Sequence, residues 1–256
     1  MSKRDRDSAP AAETLQEIES VFDRGANWVS SNPTKFLVAL GTVLAIAAGY
    51  GLWEQSRRTR AAEAAAAVAA AQHAYFAKSG SSAGAFTETE PANPEAAKKL
   101  REEYLEKFLK LSEEHANSVA GIQALFEAAA LKARLEGPEA SIELLRQAKA
   151  QAPSGSPLEG VASMRLATAL EGLERWAEAG EAYAAAADVE DFPGSPHALA
   201  EAARCMLQAG DEPRARSLYA RLGSEAPDHP LPPYLQSRLE KLITPVNTAA
   251  QEPEAG

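Results

Sequence analysis

Apolar residues recur along this chain at steps of three and four. Gly- and Pro-rich breaks separate the runs, and alternation with period two is nearly absent. That rhythm predicts an all-α protein built from short amphipathic helices. One stretch departs from it. Phe36 to Trp53 reads FLVALGTVLAIAAGYGLW, without a charge. As a helix it extends roughly 27 Å, close to a bilayer hydrocarbon core of about 30 Å. Trp28, Tyr50 and Trp53 sit at or near its ends, Lys35 closes one side, and Arg57, Arg58 and Arg60 close the other. A transmembrane helix over 35–53 is the reading. A cleaved leader would start sooner, with a short basic region ahead of it.

Around the span the pattern predicts further segments. Residues 1–34 begin with a charged, disordered stretch, Met1 to Pro10. A short amphipathic helix follows, marked by Leu15, Ile18, Phe22, Ala26 and Val29, and it ends before Asn32-Pro33. Residues 54–79 are almost unbroken helix former and read as a helical stalk. Residues 80–94 break it with Gly, Ser, Thr and two prolines, a flexible linker. A helical repeat domain is expected over 95–243 and a disordered tail over 244–256. Within the span, Gly41, Ala45 and Gly49 form a row of small residues on one face, the transmembrane packing candidates for close contact with another helix.

The repeat domain shows helix after helix: Glu95–His115, Ser118–Glu136, Glu139–Gln151, Leu158–Leu173, Trp176–Val189, His197–Ala209 and Pro213–Ser224. Ala179 matches Ala215 and Tyr183 matches Tyr219, each 36 residues on; Ala140 and Leu144 occupy the same places about one repeat earlier. A small residue where helices cross lets backbones approach, and a large one a turn later fills the space beside it. Leu166, Ala167 and Leu170 form the facing surface of the middle pair, and Ala202, Ala203 and Met206 that of the last.

These units resemble the tetratricopeptide repeat (TPR), best over Leu158–Asp191 and Pro196–Pro227 and in degraded form over Gly121–Pro153. Two departures make them TPR-like. Ala167 and Ala203 replace a first-helix glycine, and the early aromatic of that helix is missing. The resemblance implies a TPR-like α-solenoid whose first helices line a concave groove. Lys132, Met164, Thr168, Glu171, Arg204 and Gln208 are the candidate partner-groove residues, for a bound helix or extended peptide.

Composition narrows the function. Ala, Leu and Glu dominate, which favours helix. The net charge is -10, of which residues 1–35 carry five basic and six acidic side chains. Neutralising phosphates needs the opposite field, so no nucleic acid partner is expected. Cys205 is the sole cysteine, which rules out an intrachain disulfide and a CxxC metal site; it reads as a buried core residue. His73, His115, His197 and His229 are scattered, with no i, i+4 pair. The G-x-S-x-G string at Gly80–Gly84 lies in the linker, without the strand and helix a nucleophile elbow needs. No enzyme activity, cofactor or metal is expected.

The order of segments also resembles the YfgM-like family, the ancillary SecYEG translocon subunits of bacterial inner membranes. The residues that carry the likeness are Trp28 and Asn32, Gly49 to Trp53, and Glu106 to Ala187 with its stretches SVAGIQALFEAAALKA, EASIELLRQAK and ASMRLATALEGLERWAEAGEAYAAA. That family implies a single-pass inner-membrane protein with a cytoplasmic N-terminal segment and a periplasmic domain, contacting the SecYEG translocon, periplasmic chaperones or both. Charges beside the span lean the other way by one: Arg24 and Lys35 before it, Arg57, Arg58 and Arg60 after it. Phe192 to Pro196 also resembles repeat starts in TPR proteins of envelope assembly, which adds an assembly factor to the alternatives. A structural homo-oligomer joined through the glycine row is the other.

Overall fold

The computed structural model describes residues 30–80, 93–231 and 233–243. The amphipathic helix expected before Val29, the G-x-S-x-G string beyond Gly80, most of the linker and the tail lie outside those residues. Among the described residues the chain is helical, with no strand. The helices are α1 (Pro33–Lys78), α2 (Pro94–Glu114), α3 (Val119–Glu136), α4 (Ile142–Gln151), α5 (Pro157–Gly172), α6 (Trp176–Ala187), α7 (Ser195–Gln208), α8 (Glu212–Glu225) and α9 (Pro233–Ile243). The chain divides into two compact units, up to Arg60 and from Ala61.

In the first unit α1 is long and apolar enough to cross a membrane. Leu37, Val43, Leu44, Ile46 and Leu52 are exposed, whereas the core helix of a soluble domain would bury such side chains. Trp53 has the Tyr50 ring 5.8 Å away and the Arg57 guanidinium 4.9 Å from its centroid. Gly41, Ala45 and Gly49 are exposed, and a Cβ added to either glycine would meet nothing within 4 Å.

The second unit begins inside α1, so the stalk expected over 54–79 is divided. From Ala61 onward the helix is part of the domain. Ala64, Val68, Ala71 and Tyr75, spaced four, three and four, are buried with Tyr104 and Phe108 of α2 and Ala124, Ala128 and Leu131 of α3. The Tyr75 and Tyr104 rings lie 5.4 Å apart, and the Gln72 amide donates to Glu127 at 2.8 Å. Surrounding alanines hide this stripe in the sequence, because they carry no polar contrast across the helix.

The remaining helices pack as successive pairs, α3 with α4, α5 with α6 and α7 with α8, and α9 closes the array with Leu235 and Leu239. Side chains start several of them. Asn93 accepts from the Ala96 N–H, Ser118 from Gly121 and Asp211 from Arg214, each satisfying a first-turn donor. Gly210, at φ +83, ends α7, and the Asp211 N–H closes onto the Met206 carbonyl at 2.9 Å.

The core matches the small-against-large expectation. Ala167, Ala179, Ala202, Ala203 and Ala215 are fully buried, with Leu166, Leu170, Tyr183 and Met206 filling the space between them. The first pair differs. Ala140 falls in a 3₁₀ turn (Pro138–Ser141) ahead of α4, because Gly137 at φ +101 and Pro138 delay the α-helix. The crossing residue of the later repeats therefore has no helical counterpart there. Helix α9 has no repeat partner, so the repeat pattern gives no sign of it as a separate element.

Candidate partner groove

Helix α5 brings four of the six groove candidates into relation. Met164, Thr168 and Glu171 sit at i, i+4 and i+7, one face of the helix over roughly 10 Å. Met164 and Thr168 line a pocket of about 510 Å³ with Phe126, Ala130 and Ala133 of α3 and Val161 of α5. Its floor is apolar, and Val161 is 38% exposed. The Arg165 guanidinium lies over the Phe126 ring, 4.5 Å from the centroid.

Glu171 opens onto a second, polar pocket of about 390 Å³, lined also by Tyr183, His197, Glu201, Arg204 and Arg238. Arg204 on α7 bridges two carboxylates, reaching Glu171 at 2.5 Å and Glu201 at 2.6 Å. The Tyr183 hydroxyl on α6 donates to Glu171 at 3.1 Å and lies 3.1 Å from Thr168 Oγ1. Thr168 also donates to the Met164 carbonyl. Thr168 is thus the joint between the apolar and polar pockets.

Burial dominates the electrostatics here. It pushes the Tyr183 phenol above its ordinary value, and the Glu171 carboxylate adds to the rise. Burial works against the Arg204 charge, but Glu201 and Glu171 outweigh it and hold the guanidinium above its usual range. The Cys205 thiol is pushed up to about 12 by burial, with Glu171 and Glu201 reinforcing that against Arg204. A protonated thiol and a neutral phenol are poor nucleophiles, and both carboxylates are engaged by Arg204. Among the described residues no group of His, Cys, Asp and Glu is arranged to hold a metal ion.

Lys132 is half-buried on α3 and Gln208 is exposed at the end of α7; neither lines either pocket. Sequence periodicity missed Phe126, Val161, Arg165, Tyr183, Glu201, His197 and Arg238. The repeat pattern gives Tyr183 a packing role only, and its hydroxyl adds the polar one. Glu201 is a buried carboxylate at an α7 core-facing position, 7% exposed; an acid inside an apolar run was the available signal.

Residues 174–239 match the tetratricopeptide repeat family. That region runs from the turn before α6 into α9 and includes Tyr183, Glu201, Arg204 and Arg238. Two crystal structures are similar to this chain: the nearly identical TPR-like repeats of a Podosopora anserina kinesin-light-chain-type protein, and a glutamine-to-methionine variant of them. Each is 17% identical and covers 56% of this chain, with a TM-score of 0.43; this chain spans 78% and 77% of them respectively. No curated protein matches the chain.

Proposed function

We propose that this chain is a membrane-anchored, non-enzymatic adaptor: α1 holds it in a bilayer, and the face formed by α3, α5 and α7 binds a segment of a partner protein. TPR repeats mark protein–protein interaction, and the observation that carries the reading is the open apolar pocket between α3 and α5. A packed α-helical pair ordinarily fills such a space with its own side chains. Here alanines at positions 129, 130, 133 and 169 leave it open to solvent beside Val161 and Met164. A peptide side chain of Leu or Phe size fits there.

The finer reading follows the resemblance to the YfgM-like family. The membrane is the bacterial inner membrane, the domain from Ala61 is periplasmic, and the partners are the SecYEG translocon and periplasmic chaperones. The exposed apolar part of α1 supports the anchor, and the segment order supports the placement. Carbonate extraction, protease treatment of intact spheroplasts and co-purification after crosslinking test the three parts. Expected are retention in the pellet, cleavage of the domain from outside, and recovery of translocon or chaperone subunits. Release by carbonate, full protection, or recovery of neither partner overturns the corresponding part. A homo-oligomer alone in the crosslinked material favours the scaffold alternative.

A further inference from the structure

We infer that the partner segment for this groove is acidic as well as apolar: a hydrophobic anchor residue flanked by carboxylates. The inference rests on the groove reading above and adds the chemistry of its occupant.

Elsewhere on the domain four arginines are neutralised by carboxylates of neighbouring elements. Arg146 pairs with Glu178, Arg175 with Glu139, Arg214 with Glu181 and Arg221 with Asp188. The opening of about 500 Å³ beside α6 follows the same habit, since Arg146, Glu178 and Glu181 share its rim. The groove does not. No acidic residue lines its apolar pocket, and Arg165, exposed at the rim, meets the Phe126 ring in place of a carboxylate. In the adjoining polar pocket Glu171 and Glu201 are already taken by Arg204. Arg238 and His197 face that pocket with no ion pair among the described residues.

A chain of net charge -10 therefore leaves unneutralised guanidinium groups at both pockets of one face. An incoming carboxylate would satisfy Arg165 while its neighbouring apolar side chain enters between Phe126 and Met164. Paired potentials of this kind set which partner is accepted and speed its approach, and they suppress cationic competitors. A guanidinium over a ring face keeps its charge and its in-plane N–H donors available to a carboxylate. The recessed apolar floor favours a side-chain anchor over a bare anionic surface.

The test uses the full chain in detergent micelles and three fluorescein-labelled peptides of about twelve residues. They share the same Leu positions and differ only in carrying Glu, Gln or Lys between them. Fluorescence anisotropy should show the Glu peptide bound about tenfold more tightly than the Gln peptide, with the Lys peptide weakest and the preference shrinking in high salt. Arg165→Glu should erase the preference, and Arg165→Glu with Arg238→Glu should reverse it. Both positions are exposed, and circular dichroism on each variant confirms that the fold is retained. Equal binding of all three peptides, or a preference unchanged in the double variant, overturns the charge assignment and leaves the groove reading standing. Binding of none overturns both.

Discussion

Tyr183 donates to Glu171 across the α5–α6 pair at 3.1 Å. The same ring fills space in the core near Ala179, so one side chain serves both the packing of the repeat and the polar end of the groove. Tyr183→Phe keeps the ring and removes the bond. It should cost about 1 kcal/mol, the usual net worth of a partly buried hydrogen bond, and lower the melting temperature by roughly 2–4 °C. A thermal melt by circular dichroism measures this; an unchanged midpoint would show that the bond contributes nothing in solution.

Arg204 has the larger leverage. Its side chain is 11% exposed and lies between two carboxylates. Arg204→Met leaves Glu201 buried without its cation and should cost about 3–5 kcal/mol. Arg204→Met combined with Glu201→Leu removes both charges, and Glu171 can turn to water. The double variant should therefore be more stable than the single one in urea denaturation. Equal or greater loss in the double variant would mean that the cluster acts through shape rather than charge.

Gly160 lets the Phe192 ring close over α5; a Cβ there would meet the ring at 2.7 Å. Gly160→Ala should destabilise by about 1–3 kcal/mol through overpacking, despite the better helix propensity of alanine. Adding Phe192→Leu should recover part of the loss. A stabilised Gly160→Ala protein would mean that the ring moves aside without cost.

Cys205 carries a pH signature. Its thiol rises from about 9 to about 12 in the folded state. A group whose folded value is raised contributes stability that is complete below the unfolded value and lost as pH climbs towards the folded one. Urea stability should therefore fall between pH 8 and pH 11, and fall less in Cys205→Ala. At pH 8 the folded protein should resist thiol reagents that react readily in denaturant. Prompt labelling of the native protein would contradict the burial.

Much of this architecture is legible in the order of side chains, for a physical reason. Ala179 with Tyr183, and Ala167 with Leu170, state the packing rule locally, so the pairs and their crossings follow. The apolar run from Phe36 to Trp53 states the length and polarity of the exposed apolar part of α1, though not of the whole helix. Long-range facts are less visible. Ala64, Val68, Ala71 and Tyr75 look like anonymous helix former until α2 and α3 supply the surface they match. Helix position alone points to Thr168, Glu171 and Arg204. Tyr183, Glu201 and Arg238, which complete their pocket, come from other helices and no spacing links them. Lys132 and Gln208 show the limit of position alone: sharing the first-helix face does not place a side chain at an opening.

Whether a partner occupies the groove can be read from a photo-reactive amino acid placed at Val161, inside the apolar pocket, and in a parallel sample at Glu143, exposed on α4. Irradiated in native membranes, the Val161 protein should form a discrete adduct with a second protein, and the Glu143 protein should not. Adducts of equal yield from both positions, or none from Val161, would contradict a partner seated on the face of α3, α5 and α7.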